Sequence, residues 1–81
     1  MTDEQEVLKI SDQDNAIIGR CFCWDGNSRV ERIVYSGEKL IANFVEIDGM
    51  SEDEALEWVE YNIEGAYWGP TTPIIMWSND D

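Results

Sequence analysis

The sequence has no histidine and only two cysteines, Cys21 and Cys23, among its 81 residues. A structural zinc site needs four ligands, and a C-x-C pair without a further thiol or any imidazole cannot close one. Residues two apart in a strand point to the same face and lack good disulfide geometry. We therefore expect two reduced thiols that pack as small hydrophobic side chains.

Recognisable catalytic motifs are also missing. The sequence contains no phosphate-binding loop, dinucleotide fingerprint or nucleophile elbow. Without histidine, general acid–base catalysis would fall to carboxylate pairs, and among 18 acidic residues no particular pair stands out. The segment from Asp12 to Asn15 starts like a calcium loop but lacks its central glycine and final glutamate. The sequence predicts a protein that is not an enzyme and has no cofactor and no metal.

Long apolar runs are absent, so no membrane-spanning segment is predicted. The N-terminus is acidic, whereas a secretory signal begins with positive charge followed by an apolar stretch. We expect the protein to remain in the cytoplasm of the cell that makes it.

Basic residues are few and unevenly distributed. Five Lys and Arg residues face 18 acids, which gives a formal net charge of −13. All five bases lie in residues 1–39, whereas residues 40–81 contain ten acids and no base. Direct binding to nucleic acid is therefore not expected, because the phosphates would be repelled. The acidic half instead suggests a cationic protein partner.

The order of hydrophobic patterns predicts a single α+β domain. Branched and aromatic runs at 16–24, 30–35 and 73–77 are typical of strands, and the first two flank an Asp-Gly turn. Helical periodicity follows Ser36 up to Gly49 and follows the capping box Ser51–Glu54 up to Gly65. We predict a small antiparallel sheet in ββααβ order with both helices on one face. Residues 1–14 are predicted to be a flexible acidic arm, 15–78 the domain, and 79–81 a frayed tail.

Four carboxylates of the second predicted helix, hereafter the acidic stripe, lie at spacings of 4, 3 and 4 residues: Asp53, Glu57, Glu60 and Glu64. In an α-helix this spacing places them on one face over about 16 Å. One interpretation is a solvated face that keeps the protein soluble. The other is a contact surface whose repeat resembles that of phosphates along a nucleic-acid strand, attracted to a basic groove.

Two aromatic residues, Tyr67 and Trp68, lie in a predicted loop between Gly65 and Pro70, next to the acidic stripe. Rigid loop aromatics beside a charged patch are typical of interface hot spots. The alternative is that they fold back and cover the small core.

Residues 34–75 resemble a family of short, poorly characterised proteins of tailed bacteriophages. The matching pattern is VYS at 34–36, DGMSEDEA at 48–55, YNIEGAYWG at 61–69 and TPI at 72–74. This resemblance implies the same small fold, a phage origin and action in the host bacterial cytoplasm. It also implies structural roles for Gly65-Ala66 at the helix exit and Thr72-Pro73 at the strand entry.

The acidic half and this resemblance together predict an inhibitor of a host nucleic-acid-binding or defence protein, such as a CRISPR or restriction nuclease. The acidic stripe would occupy the basic surface of the target in place of DNA, with Tyr67 and Trp68 as anchors. The alternative is a non-catalytic structural or assembly module that self-associates, for instance as a homodimer, through its aromatic loop or a sheet edge.

Overall fold

The computed structural model describes residues 7–79, which form three strands and two α-helices. In chain order they are β1 (Ile17–Asp25), β2 (Ser28–Ser36), α1 (Gly37–Asp48), α2 (Glu52–Val59) and β3 (Ile74–Met76). A 3-10 turn precedes β1 at Asp14–Ala16, and a π-turn extends α2 at Glu60–Glu64. The α+β class and the ββααβ order predicted from the sequence are confirmed.

The helix ends follow the local signals of the sequence. At the start of α1, the Ser36 hydroxyl accepts a hydrogen bond from the Lys39 amide at 3.2 Å. At the start of α2, the Glu54 amide donates to Ser51 Oγ at 3.1 Å, and the Ser51 amide donates to Glu54 Oε1 at 2.9 Å. This is the predicted capping box. Gly49 ends α1 with a φ of 74°, a left-handed conformation that glycine adopts without strain.

The sheet is mixed rather than wholly antiparallel. β1 and β2 form an antiparallel hairpin, but β3 pairs with β2 in parallel, with Val34 opposite Ile74 and Tyr35 opposite Ile75. The chain between Gly65 and Pro73 is long enough to return along the sheet before β3 begins. The Arg32 guanidinium donates to the Thr72 carbonyl, which holds this returning segment beside β2.

The hydrophobic core lies between one face of the sheet and the two helices. Ile33 and Tyr35 of β2 pack there together with residues from both helices, the 3-10 turn and the π-turn: Ala16, Leu40, Phe44, Ala55, Val59 and Ile63. Ile17 and Ile75 flank Tyr35 in the sheet and pack against the same cluster. Both helices therefore cover one face, as predicted.

The last part of the predicted second helix is a π-turn. The Gly65 amide donates to the Glu60 carbonyl at 2.8 Å, an i→i+5 hydrogen bond. A Cβ at position 65 would lie 2.9 Å from that carbonyl oxygen. Glycine is therefore needed here for close approach of the backbone rather than for a positive φ.

Residues 7–13 form no strand but contact the core. Val7 and Ile10 pack against the hydrophobic cluster, and the Ile10 amide donates to the Tyr35 hydroxyl at 2.9 Å. Burial raises the pKa of Tyr35 above its usual value of 10.0, although the Ile10 amide partly opposes this effect. Residues 1–6 of the predicted arm, and 80–81 of the predicted tail, lie outside the described residues.

Helices α1 and α2 are short, and within residues 7–79 no helix has both the length and the hydrophobicity needed to cross a membrane.

Candidate functional site: the acidic surface of the second helix

The acidic stripe is exposed along its whole length. Asp53 and Glu57 project from α2, and Glu60 and Glu64 from the π-turn. Within residues 7–79 the one ion pair joins Arg20 and Glu31 in the hairpin, so no described base neutralises these carboxylates. The surface presents concentrated negative charge that can attract a cationic partner.

The π-turn changes the geometry of the stripe. Because a π-turn holds more residues per turn than an α-helix, the α-helical spacing applies to Asp53 and Glu57 but not strictly to Glu64. Glu64 also has an intramolecular role, because its Oε2 accepts a hydrogen bond from Trp77 Nε1 at 3.2 Å. Asp53, Glu57 and Glu60 are therefore the stripe members most available to a partner.

The aromatic loop is held in an ordered turn. Thr72 Oγ1 accepts a hydrogen bond from the Trp68 amide at 2.7 Å and donates to the Gly69 carbonyl at 2.6 Å. The Tyr67 side chain is 73% exposed and Trp68 is 45% exposed. Exposed aromatic rings on an ordered loop can contribute contact area to a partner at a low cost in conformational entropy, since each ring has only two rotatable bonds.

A shallow groove lies on α2 beside the stripe, with a volume of about 360 Å³. This α2 groove is lined by Met50, Glu54, Glu57, Trp58, Tyr61 and Asn62. Trp58 packs on Phe44 at a ring-centroid distance of 4.9 Å but remains partly exposed, and Tyr61 is 77% exposed. Glu57 belongs to both the groove and the stripe, so acidic and aromatic groups share one surface.

Tyr61 is a residue of the groove that was not predicted from the sequence. The signal that could have found it is the helical spacing of Glu54, Glu57 and Tyr61, which are three and four residues apart and therefore share a face. The tertiary structure shows that Met50, from the inter-helix connection, closes one side of the groove.

The cysteines lie together on the sheet face opposite the helices. Cys21 and Cys23 are free thiols whose Sγ atoms are 3.7 Å apart. The hydrogen bond with Cys23 raises the pKa of Cys21 above its usual 9.0, and desolvation and the nearby Cys23 charge add to this effect. Within residues 7–79, no group of three or more Cys, Asp or Glu side chains is arranged to hold a metal ion.

The C-terminal segment is attached to α1 through Glu38. Its Oε2 accepts hydrogen bonds from the amide and the hydroxyl of Ser78, both at 3.0 Å. The Ser78 amide is the main cause of a lowered pKa at Glu38, with contributions from its own amide and from the hydroxyls of Ser78 and Ser36. This contact keeps residues 77–78 beside the start of α1.

Comparisons of the chain with protein-family models, with curated proteins and with solved structures gave no match. The phage-family resemblance therefore stays a prediction, and a function has to be inferred from the site itself.

Proposed function

We propose that this protein is a non-catalytic inhibitor that occupies the basic surface of a nucleic-acid-binding enzyme of a bacterial host, in place of DNA. The observation that carries the proposal is the acidic stripe, an exposed run of carboxylates with no neutralising base among the described residues. Ordinary soluble surfaces intersperse both signs of charge. Its site of action would be the host cytoplasm.

The stripe and the aromatic side chains have separate roles in this proposal. Asp53, Glu57 and Glu60 would attract the target over long range and raise the association rate. Tyr67 and Trp68 would bury apolar area at the contact and slow dissociation. Inhibition would result from steric and electrostatic occlusion of the nucleic-acid site, without any chemical step.

Charge reversal with a matched control tests the role of the stripe. The variant Glu57→Lys/Glu60→Lys changes the net charge by +4 on the stripe. The control Glu46→Lys/Asp48→Lys makes the same change on exposed positions of α1, near the helix C-terminus where positive charge is favourable. Tagged proteins are used to capture a target from bacterial lysate at low and moderate salt, and the captured enzyme is then assayed with its nucleic-acid substrate.

We expect the stripe variant to lose inhibition at least tenfold and the control to lose much less. Added duplex DNA should displace the wild-type protein from its target, and moderate salt should weaken the complex. An equal loss in both variants would mean that net charge alone matters, and a complex that DNA does not displace would refute occlusion of the nucleic-acid site.

A structural or assembly module remains the second candidate function. It is favoured by the exposed Tyr67 and Trp68 and by β1, which is an edge strand of the described sheet. Exposed strand edges and apolar patches are common sites of self-association. Self-association of the wild type should then respond little to salt, and the double variant Tyr67→Ala/Trp68→Ala should abolish it.

A further inference from the structure

The outer part of the β1–β2 hairpin presents cationic and aromatic side chains on one face. Phe22 lies between two guanidinium groups, with Arg29 Cζ 4.2 Å and Arg20 Cζ 5.5 Å from its ring centroid. Trp24 is 71% exposed and pairs with Arg29 across the two strands. We call these four residues and Glu31, which lies opposite Phe22 on the same face, the hairpin face.

The hairpin face does not belong to the core. From the hairpin, the hydrophobic cluster and the residues packed on it include only Ile17, Ile33 and Tyr35, all near the helices. Phe22 is 43% exposed, although a phenylalanine is usually buried. A two-stranded hairpin with an aromatic face is marginally stable alone in water. Arginine and aromatic residues together are the composition that marks protein interfaces.

The two arginines of the hairpin face differ in availability. Arg20 Nη1 already pairs with Glu31 Oε2 at 3.3 Å. Arg29 forms no ion pair within residues 7–79, and its guanidinium is oriented by the Phe22 ring. A partner of this face should therefore offer a carboxylate to Arg29 and an apolar recess to Trp24.

The same chain carries such a surface. The α2 groove combines a recess of about 360 Å³, rings from Trp58 and Tyr61, and the exposed carboxylate of Glu57. Trp24 is not among the residues that line the α2 groove of the same copy, so a contact between the two surfaces needs a second copy. The charge signs of the two surfaces are opposite, even though the whole chain carries a net charge of −13.

We propose that this protein self-associates head to tail, with Trp24 of one copy seated in the α2 groove of a second copy and Arg29 paired with Glu57. The interface is heterologous, so a pair of copies still has one free hairpin face at one end and one free groove at the other, and the assembly grows into short chains. Since Glu57 also belongs to the acidic stripe, self-association and binding of a cationic target exclude each other. The inference does not rest on the proposed function.

Two variants separate the two halves of the interface. Trp24→Ala removes the ring that the hairpin face would insert, and Tyr61→Ala removes one wall of the α2 groove. Both side chains are mostly exposed, so folding should be preserved. Tyr67→Ala removes an equally exposed ring outside both surfaces and serves as the control. Sedimentation velocity of the purified full chain over a concentration series measures assembly, and circular dichroism checks folding.

The wild type should assemble with rising concentration, and each interface variant alone should weaken association about tenfold or more. An equimolar mixture of Trp24→Ala and Tyr61→Ala should form dimers only, because one intact hairpin face meets one intact groove. The variants Arg29→Glu and Glu57→Lys should each assemble poorly, whereas their mixture should regain longer chains through the exchanged charge pair.

Three results would overturn the proposal. The first is a wild-type protein that stays monomeric at every concentration. The second is loss of assembly in Trp24→Ala but not in Tyr61→Ala, which would indicate symmetric pairing of two hairpins. The third is loss of assembly in Tyr67→Ala, which would indicate contact through the aromatic loop.

Discussion

Replacement of Gly37 by alanine tests how the C-terminal segment closes the core. Gly37 is buried at the first position of α1, beneath the indole ring of Trp77. An added Cβ would lie 2.5 Å from Cε3 and Cζ3 of that ring and 2.7 Å from Cδ2. Carbon atoms in favourable contact are about 3.5–4.0 Å apart, so the ring would have to move by roughly 1 Å.

The expected magnitude follows from two opposing effects. Overpacking of this kind costs about 1–3 kcal/mol. Alanine is a better helix former than glycine by roughly 0.5–1 kcal/mol, and less than that at the first helical position. Displacement of Trp77 also strains its hydrogen bond to Glu64. We expect Gly37→Ala to lower the free energy of unfolding by about 1–2 kcal/mol, which corresponds to roughly 4–16 °C in Tm for a domain of this size.

A double-mutant cycle with Trp77→Ala makes the test specific. Without the indole ring the steric conflict disappears, so Gly37→Ala should then be neutral or stabilising. The free energies of unfolding are measured for all four proteins by urea titration followed by circular dichroism. If Gly37→Ala has the same effect with and without the indole, Trp77 does not pack on Gly37 and the reasoning fails.

Three further predictions concern single contacts. Gly65→Ala should destabilise the protein by about 1–2 kcal/mol, because the added Cβ would lie too close to the Glu60 carbonyl oxygen that accepts the hydrogen bond of the residue 65 amide. Thermal unfolding measures this loss, and an unchanged Tm would contradict the π-turn. Tyr35→Phe leaves the Ile10 amide without its acceptor and should cost about 1 kcal/mol. The folded-state pKa of Tyr35 is raised, so the neutral phenol contributes fully to stability below pH 10, and this contribution is lost as pH rises through the raised value. Tyr35→Phe has no ionisable phenol at this position, so it should lose less stability at alkaline pH than the wild type. Cys23→Ala removes the main cause of the raised pKa of Cys21, so more of the Cys21 thiol is ionised at pH 8 and its alkylation should become faster. Mass spectrometry follows the reaction, and a slower alkylation would contradict that cause.

Glu38 gives a prediction for acidic pH. Its folded-state pKa is lowered by hydrogen bonds from Ser78, so its contribution to stability is present above the ordinary value of 4.5 and is lost as pH falls through the lowered value. In Glu38→Gln this part of the acid dependence should disappear. Hydrogen exchange at the Ser78 amide should also become faster at pH 7, and unchanged protection would contradict the contact.

The candidate site was only partly predictable from the sequence. The exposure of the acidic stripe followed from its charge and helical spacing. The π-turn did not, because it depends on the approach of Gly65 to the Glu60 carbonyl, and no residue pattern in the helix announces it. The hairpin face was also missed, although Arg20, Phe22 and Trp24 alternate along β1. Arg20 lies opposite the core residue Ile33, so these side chains share the sheet face that the helices cover, and alternation does not say how far along the hairpin the helices extend.

The sequence by itself determined the elements whose signals act within a few residues. These local signals are the caps at Ser36 and Ser51, the left-handed helix end at Gly49 and the period of the apolar residues. The order of strands and helices could be derived from them. Only the tertiary structure decided the parallel pairing of β3, the position of Trp77 over Gly37 and the exposure of Trp24. Each of these depends on contacts between residues far apart in the chain, where burial and chain return rather than local propensity select the arrangement.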